Sequence, residues 1–145
     1  MNRKTEKKII IGDYFKAYEY LESCHYNYTF DNLVHDFKKT NSMQMYCFLM
    51  YAISRHETPE LHLAICDFLV YDPFFCYVYP MIYWHVKRIL EIEPDFIDVK
   101  VWVLVMYYQN PDCPFTDNEL YEFAQAVVEK DPNNEVALEI LSKMC

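Results

Sequence analysis

Glycine is almost absent from this sequence, since Gly12 is the single glycine among 145 residues. Dinucleotide-binding folds, phosphate-binding loops and nucleophile elbows each need several glycines for tight turns and close backbone approach. Those classes of protein are therefore close to excluded. The sequence also has no paired acid/base motif, so we expect neither an enzyme nor a bound cofactor.

Long apolar runs are absent as well. No stretch of about 18 uncharged apolar residues occurs, and the apolar run in the N-terminal MNRKTEKKIII is too short for a signal peptide. Apolar residues make up 53% of the chain, which argues against disorder. We predict a soluble, cytoplasmic protein without a membrane partner, made of a flexible tail at residues 1–8 and a single helical domain at 9–145.

The cysteines show no CxxC pair, which removes the commonest signature of a zinc or redox site. Without an export signal, reduced thiols buried as small hydrophobic side chains are favoured over disulfides or metal ligands. The six cysteines are Cys24, Cys47, Cys66, Cys76, Cys113 and Cys145.

Histidine spacing also gives no metal site. His56 and His62 flank Glu57 but lie six residues apart, and the chain has no HExxH motif. Surface or cap-associated histidines are favoured over a zinc helix, so we predict no metal.

Negative charge is in excess and unevenly spread. The net charge of the chain is −9, whereas its first ten positions carry +3, so everything after them carries −12. Phosphate would be repelled by the body of such a protein. We therefore expect no nucleic-acid partner and favour a basic protein partner.

Apolar positions recur at helical spacing along most of the chain. The segment VKVWVLVMYY is ambiguous, because its alternating β-branched residues would also suit a buried strand. A helix is favoured, since a lone strand would have no sheet to join. The predicted helices run from Ile10 to Cys24, from Asp31 to Lys39, over 42–55, from Pro59, from Pro80, through VKVWVLVMYY, from Thr116 and over 136–144.

Helix boundaries carry specific signals. Thr58-Pro59 supplies an N-cap followed by Pro at the first helical position. Thr116 to Glu119 reads as a capping box, in which each side chain hydrogen-bonds the other residue's amide. The apolar residues after it follow one helix face: Leu120, Phe123, Ala124, Val127 and Val128.

A joint made of an acid and a proline recurs at the end of apolar runs, in YDPFF, IEPDF and KDPNN. The proline blocks the preceding helix and helps to start the next. The interval from Pro73 to Pro94 is much shorter than the interval from Pro94 to Pro132, so no single period applies. We predict an all-α fold, an irregular TPR-like array of about seven to eight helices in helical hairpins.

Two sets of residues are candidates for a binding surface. The aromatic segment from Phe74 to His85 could anchor a partner, although core packing is favoured there. Acidic residues on the helix that starts at Thr116 are either solubilising charges or a functional patch. The candidate partner-binding residues are Asp117, Glu119, Tyr121, Glu122 and Glu129.

The ordered pieces HETPELHLAICDFLVYD, HVKRILEIEPDFIDVKVWVLVMYY and TDNELYEFAQAVVEKDPNNEVALEIL, over about residues 56–141, carry a resemblance. They resemble small, TPR-like, all-helical bacterial immunity proteins of polymorphic-toxin and contact-dependent growth-inhibition systems. The resemblance implies a protein that binds and neutralises a cognate toxin domain. It implies no catalytic residue, and contact residues in such a family vary with the toxin.

The leading hypothesis is therefore an immunity protein that covers the C-terminal domain of a toxin, a basic nuclease, with an acidic, Tyr-rich surface. An acidic surface can mimic the polyanion that such a nuclease binds. The alternative is a helical-repeat adaptor that binds a peptide or protein partner.

Overall fold

The computed structural model describes residues 8–9, 12–23, 42–71 and 78–143. Within these ranges the chain forms helices and no strand, which confirms the predicted all-α class. The helices are α1 (Tyr14–Ser23), α2 (Ser42–Arg55), α3 (Pro59–Tyr71), α4 (Val78–Ile92), α5 (Ile97–Tyr107), α6 (Asp117–Lys130) and α7 (Glu135–Lys143). The helix expected over 31–39 and the aromatic residues 74–77 lie outside the described residues.

The chain divides into two compact units, Met1–Val78 and Tyr79–Cys145. In the first unit, α2 contacts both α1 and α3. Tyr14 and Tyr18 of α1 place their rings against Tyr51 of α2, with centroids 6.3 and 6.1 Å apart. Aromatic contact of this kind joins the two helices through large apolar side chains.

The single glycine ends a helical turn before α1. Gly12 has φ +78°, its N–H donates to the carbonyl of Ile9, and the N–H of Asp13 donates to the carbonyl of Lys8. This pair of hydrogen bonds ends helices with a left-handed residue, a conformation that glycine adopts without steric cost. The first amphipathic helix therefore begins at Tyr14 and not at Ile10. Residues 1–7 of the predicted tail lie outside the described ranges.

The start of α3 follows its sequence signals. Pro59 is the first helical residue, and the hydroxyl of Thr58 accepts a hydrogen bond from the N–H of Leu61 at 3.3 Å. Four apolar side chains of α3 are buried: Leu61, Ile65, Phe68 and Leu69.

In the second unit, α5, α6 and α7 contact one another in pairs. The ambiguous segment VKVWVLVMYY lies in α5, so the helix interpretation is confirmed. Val99, Val103 and Leu104 are buried on the side of α5 that faces its neighbours. Burial on one side of a helix explains how β-branched residues of modest helix propensity are kept helical here.

Two of the predicted joints have the same backbone geometry. In the α4–α5 joint, Glu93 N–H donates to Ile89 C=O and Phe96 N–H to Glu93 C=O. In the α6–α7 joint, Asp131 N–H donates to Val127 C=O, and Asn134 N–H to Asp131 C=O. The side chain of Asn134 also accepts from Ala137 N–H at 3.1 Å and so caps α7. In both joints a Pro directly after the acid fixes the turn, so the same geometry occurs twice in the second unit.

One large apolar side chain of the last helix is exposed. Ile140 and Ala137 are buried, whereas Leu138 is 43% exposed. Leu138 stands about 100° around the helix from Ala137, outside the arc that α6 covers.

Candidate functional site

The N-terminus of α6 is built from a capping box in which Thr116 and Glu119 share three hydrogen bonds. The Thr116 hydroxyl accepts from Glu119 N–H at 3.3 Å, and Glu119 Oε2 accepts from Thr116 N–H at 2.9 Å. The same hydroxyl donates to Oε2 at 2.9 Å. Both halves of the predicted capping box are therefore confirmed, and the first turn of α6 is fixed by side chains from its own sequence.

The second oxygen of Glu119 joins α6 to α4. Oε1 accepts a hydrogen bond from the hydroxyl of Tyr83 at 3.0 Å and another from Lys87 Nζ at 2.9 Å. Lys87 Nζ also lies 5.5 Å from the centre of the Tyr83 ring. Each carboxylate oxygen of Glu119 thus accepts two hydrogen bonds, and the group is a bridge between two helices.

Ionisation of Glu119 is strongly favoured in this arrangement. Partial burial alone would raise the pKa of the carboxyl, but hydrogen bonds from the Thr116 amide, Lys87, the Thr116 hydroxyl and Tyr83 outweigh it. The pKa of Glu119 falls from its ordinary 4.5 to about 2. The hydrogen bond to Glu119 likewise raises the pKa of Lys87. Charged hydrogen bonds stabilise both ionised groups, so the pair stays ionised at neutral pH.

A cluster of aromatic rings packs next to Tyr83, one of the residues of the bridge. The ring of Phe115 is buried, with its centre 5.3 Å from that of Tyr83 and 6.1 Å from that of Phe123. Tyr107 lies 5.7 Å from Phe115 and 6.0 Å from Tyr79. Tyr79 and Tyr83, the part of the predicted aromatic segment that forms these contacts, therefore pack within the second unit.

The other candidate residues lie on the outer side of α6. Asp117, Glu122 and Glu129 are exposed, and Tyr121 is half-buried. At 100° per residue these four side chains spread over an arc of about 140°, in which Glu122 and Glu129 lie about 20° apart around the helix and about 10 Å apart along its axis, and Asp117 lies at the other end of the arc. Glu119 lies on the flank that faces α4. The structure thus places four of the five predicted residues along the outward arc of α6, called here the α6 outer face, and Glu119 beside it.

Negative charge is concentrated in the unit that carries this face. Residues 79–145 hold twelve acidic and five basic side chains, a net charge of −7, which leaves −2 for residues 1–78. Three of the five basic side chains are paired with acids: Lys87 with Glu119, Arg88 with Glu91 and Lys143 with Glu139. The α6 outer face therefore stands in a negative field.

The predictions for His56 and Cys66 agree with the structure, whereas the prediction for His62 does not. His56 is exposed as expected, but His62 is fully buried, with Nε2 3.0 Å from Glu57 Oε1 just before the N-cap of α3. Within the described ranges, no group of three or more His, Cys, Asp or Glu side chains could hold a metal ion. The described cysteines are free thiols, and Cys66 is buried as predicted.

Sequence reasoning found Glu119 as a capping residue but not its bridge to α4. Tyr83 and Lys87 are 36 and 32 residues away, and no short-range pattern joins them to Glu119. One signal was present, since Lys87 and Tyr83 are spaced i, i+4 on the amphipathic pattern of α4 and so share a side of the helix.

Comparison with protein-family models, with curated proteins and with solved structures finds no match to this chain. None of the helices in the described part of the chain is long and apolar enough to span a bilayer.

Proposed function

We propose that this protein is a cytoplasmic immunity protein that binds and neutralises a toxin domain, a basic nuclease, through the α6 outer face. The observation that carries the proposal is the exposure of Asp117, Glu122 and Glu129 on a single helix that also carries the half-buried Tyr121. The proposal is one of binding and not of catalysis.

Charge supplies the attraction in this mechanism. Nucleases hold their polyanionic substrates with cationic side chains, and an acidic helix face offers them a substitute. The net charge of −7 on residues 79–145 extends the attraction beyond direct contacts. Such steering raises association rates toward about 10⁸ M⁻¹s⁻¹ at low salt.

A rigid first turn of α6 and the side chain of Tyr121 supply the other contributions to binding. The Glu119 bridge fixes the first turn of α6 against α4, so the acids of the outer face are held in place before binding. A preorganised surface loses less conformational entropy when it binds. Tyr121 is half-buried and offers apolar area together with a hydroxyl, the combination favoured at interface centres.

Co-expression tests the function directly. The toxin domain encoded by the adjacent gene is expressed with and without this protein, and growth is scored. We expect rescue, and we expect loss of rescue when Glu122→Lys and Glu129→Lys are combined. Glu93→Lys on the α4–α5 joint is a matched control, because it makes an equal change of charge per site at an exposed acid outside α6.

The salt dependence of the association rate tests the polyanion-mimic mechanism separately from the immunity function. Association of the purified pair should slow as salt rises, because screening weakens steering between exposed charges. An association rate indifferent to ionic strength would remove the polyanion-mimic mechanism while leaving immunity intact. Failure of the wild-type protein to rescue growth would remove immunity itself.

The alternative function is a helical-repeat adaptor. It is favoured by the two equivalent joints at 93–96 and 131–134, since repeated helix-turn geometry is typical of adaptor arrays. Gene neighbourhood distinguishes the two, because immunity requires a toxin gene close by and an adaptor does not. A purified protein that hydrolysed RNA or peptide by itself would contradict both.

A further inference from the structure

A second surface, separate from the α6 outer face, lies on α5. Apart from Asp98 and Lys100 in its first turn, this helix is apolar on every side, and helices of that kind are normally covered on every side. Here one side is open: Val105 is 60% exposed, the largest value among the exposed large hydrophobic side chains of the described residues. Val101 and Trp102 are half-buried on the same side, four and three residues before Val105 respectively.

Nothing within the described chain explains valine at these outward positions. Val99 and Val103 are fully buried, so their β-branched side chains are stabilised by packing. Val101 and Val105 gain little or none of that stabilisation, and valine is a weaker helix former than the charged and polar residues usual on an exposed helix side. Val101, Trp102 and Val105 adjoin one another on the open side, and contiguous exposed apolar surface marks interaction sites.

Charge indicates what that molecule carries. Asp98 is exposed one turn before Val101 and Trp102, and Asp95 is exposed at the preceding joint. Both acids lie at the N-terminal end of the apolar side, within a unit of net charge −7. A second copy of the chain would add a second net charge of −7 to this surface, whereas Lys or Arg would complement it.

We propose that Asp98, Val101, Trp102 and Val105, together the α5 stripe, dock a helical segment of a protein partner that presents apolar residues beside Lys or Arg. From Asp98 to Val105 the stripe is about 10 Å long, which matches two turns of a helix. The apolar residues of the segment cover Val101 and Val105, and its basic side chains lie against Asp98. The proposal goes beyond the proposed function, because it concerns another helix and another partner segment.

The test uses the full chain and synthetic peptides. The first peptide consists of Leu and Lys, with its leucines on one face of a helix. A scrambled peptide has the same composition, but its leucines do not fall on one face. A Leu/Glu peptide keeps the leucine face and carries the opposite charge. Trp84→Phe leaves Trp102 as the single tryptophan, because the chain has two. We expect the faced Leu/Lys peptide to bind and to shield Trp102 from acrylamide. We expect the other two peptides to bind about tenfold more weakly.

Variants locate the site. Val105→Arg should weaken binding of the Leu/Lys peptide about tenfold, because it puts a cation at the most exposed apolar residue of the stripe. Leu138→Arg is the matched control, since it makes a comparable change at an exposed apolar residue of α7. It should change binding less than about twofold. Circular dichroism confirms that both variants keep their helix content.

Three outcomes would overturn the proposal. Equal weakening by Val105→Arg and Leu138→Arg would show unspecific apolar binding, and equal binding of the Leu/Glu peptide would remove the charge argument. A dimer in analytical ultracentrifugation that Val105→Arg dissociates would show that a second copy covers the stripe. None of these results bears on rescue of growth in the toxin assay, so the two proposals fail independently.

Discussion

Lys87 Nζ lies 2.9 Å from Glu119 Oε1, and this contact joins α4 to the first turn of α6. The Glu119 side chain is 17% exposed and that of Lys87 is 45% exposed, so the pair is shielded from water on the Glu119 side. The carboxylate is already bound by Thr116 and Tyr83. One acidic side chain thus caps a helix and links two elements that are far apart in sequence.

Glu119 should make stability depend on pH in the acid range. A pKa of 4.5 in the unfolded chain and about 2 in the folded chain corresponds to roughly 3 kcal/mol, reduced to about 2 kcal/mol by the solvent on the Lys87 side. Because the folded-state pKa is lowered, this stabilisation is present above pH 4.5 and is lost as the pH falls toward 2. Urea unfolding between pH 2 and pH 6 measures it.

Glu119→Gln should flatten that pH dependence and lower the free energy of unfolding at pH 7 by about 2 kcal/mol. Glu122→Gln is the control, because it makes the same change three residues away at an exposed position. A Glu119→Gln protein with the pH profile of the wild type would contradict the bridge.

The cap of α6 gives a second prediction. Thr116→Ala removes the hydroxyl that accepts from Glu119 N–H, and it should cost about 1 kcal/mol of unfolding free energy. Thr116→Ser keeps that acceptor and should restore most of the loss. Chemical denaturation of both variants gives the comparison, and equal stabilities for Ala and Ser would show that the cap contributes nothing.

Burial on α7 gives a third. Ile140→Ala should lower stability by about 3 kcal/mol, because Ile140 is fully buried and its removal leaves a cavity. Leu138→Ala on the same helix should change stability by less than about 0.5 kcal/mol, since Leu138 is 43% exposed. Thermal or urea unfolding measures both, and similar losses at the two positions would refute the assigned orientation of α7.

Thiol reactivity gives a fourth. Burial first, and then the negative charge of Asp67, raises the pKa of the Cys66 thiol, so little thiolate forms and the sulfur is inaccessible. Iodoacetamide should therefore modify Cys47 and Cys113, which are half-buried, well before Cys66. Peptide mass spectrometry of native and urea-treated protein checks the order, and early modification of Cys66 would contradict its burial.

Local signals in the sequence were enough for the helices but not for the bridge. The capping box at Thr116, the cap at Thr58 and the prolines at the joints act within a few residues, so their geometry follows from sequence alone. The sequence predicted Glu119 to be a capping residue and a surface acid. Its contacts with α4 could not be predicted, because they depend on tertiary packing. His62 read as a surface or cap residue, whereas packing of α3 buries it beside Glu57.

The orientation of the α5 stripe also could not be predicted from the sequence. Periodicity could not assign a buried side to VKVWVLVMYY, because valines recur at every second position. Only the contacts of α5 with α6 and α7 decide that Val99 and Val103 are inside and that Val105 is outside. An apolar sequence therefore predicts a helix without predicting which of its residues remain in water.

The matching turns at Glu93 and Asp131 have a consequence for how such a chain can change in length. A tandem duplication of the segment from Pro94 to Asp131 would insert a helix pair whose entry and exit directions both already exist in the protein. The chain could then gain helix pairs without a new type of turn. Each added pair would expose additional helix surface, on which a different binding site could evolve.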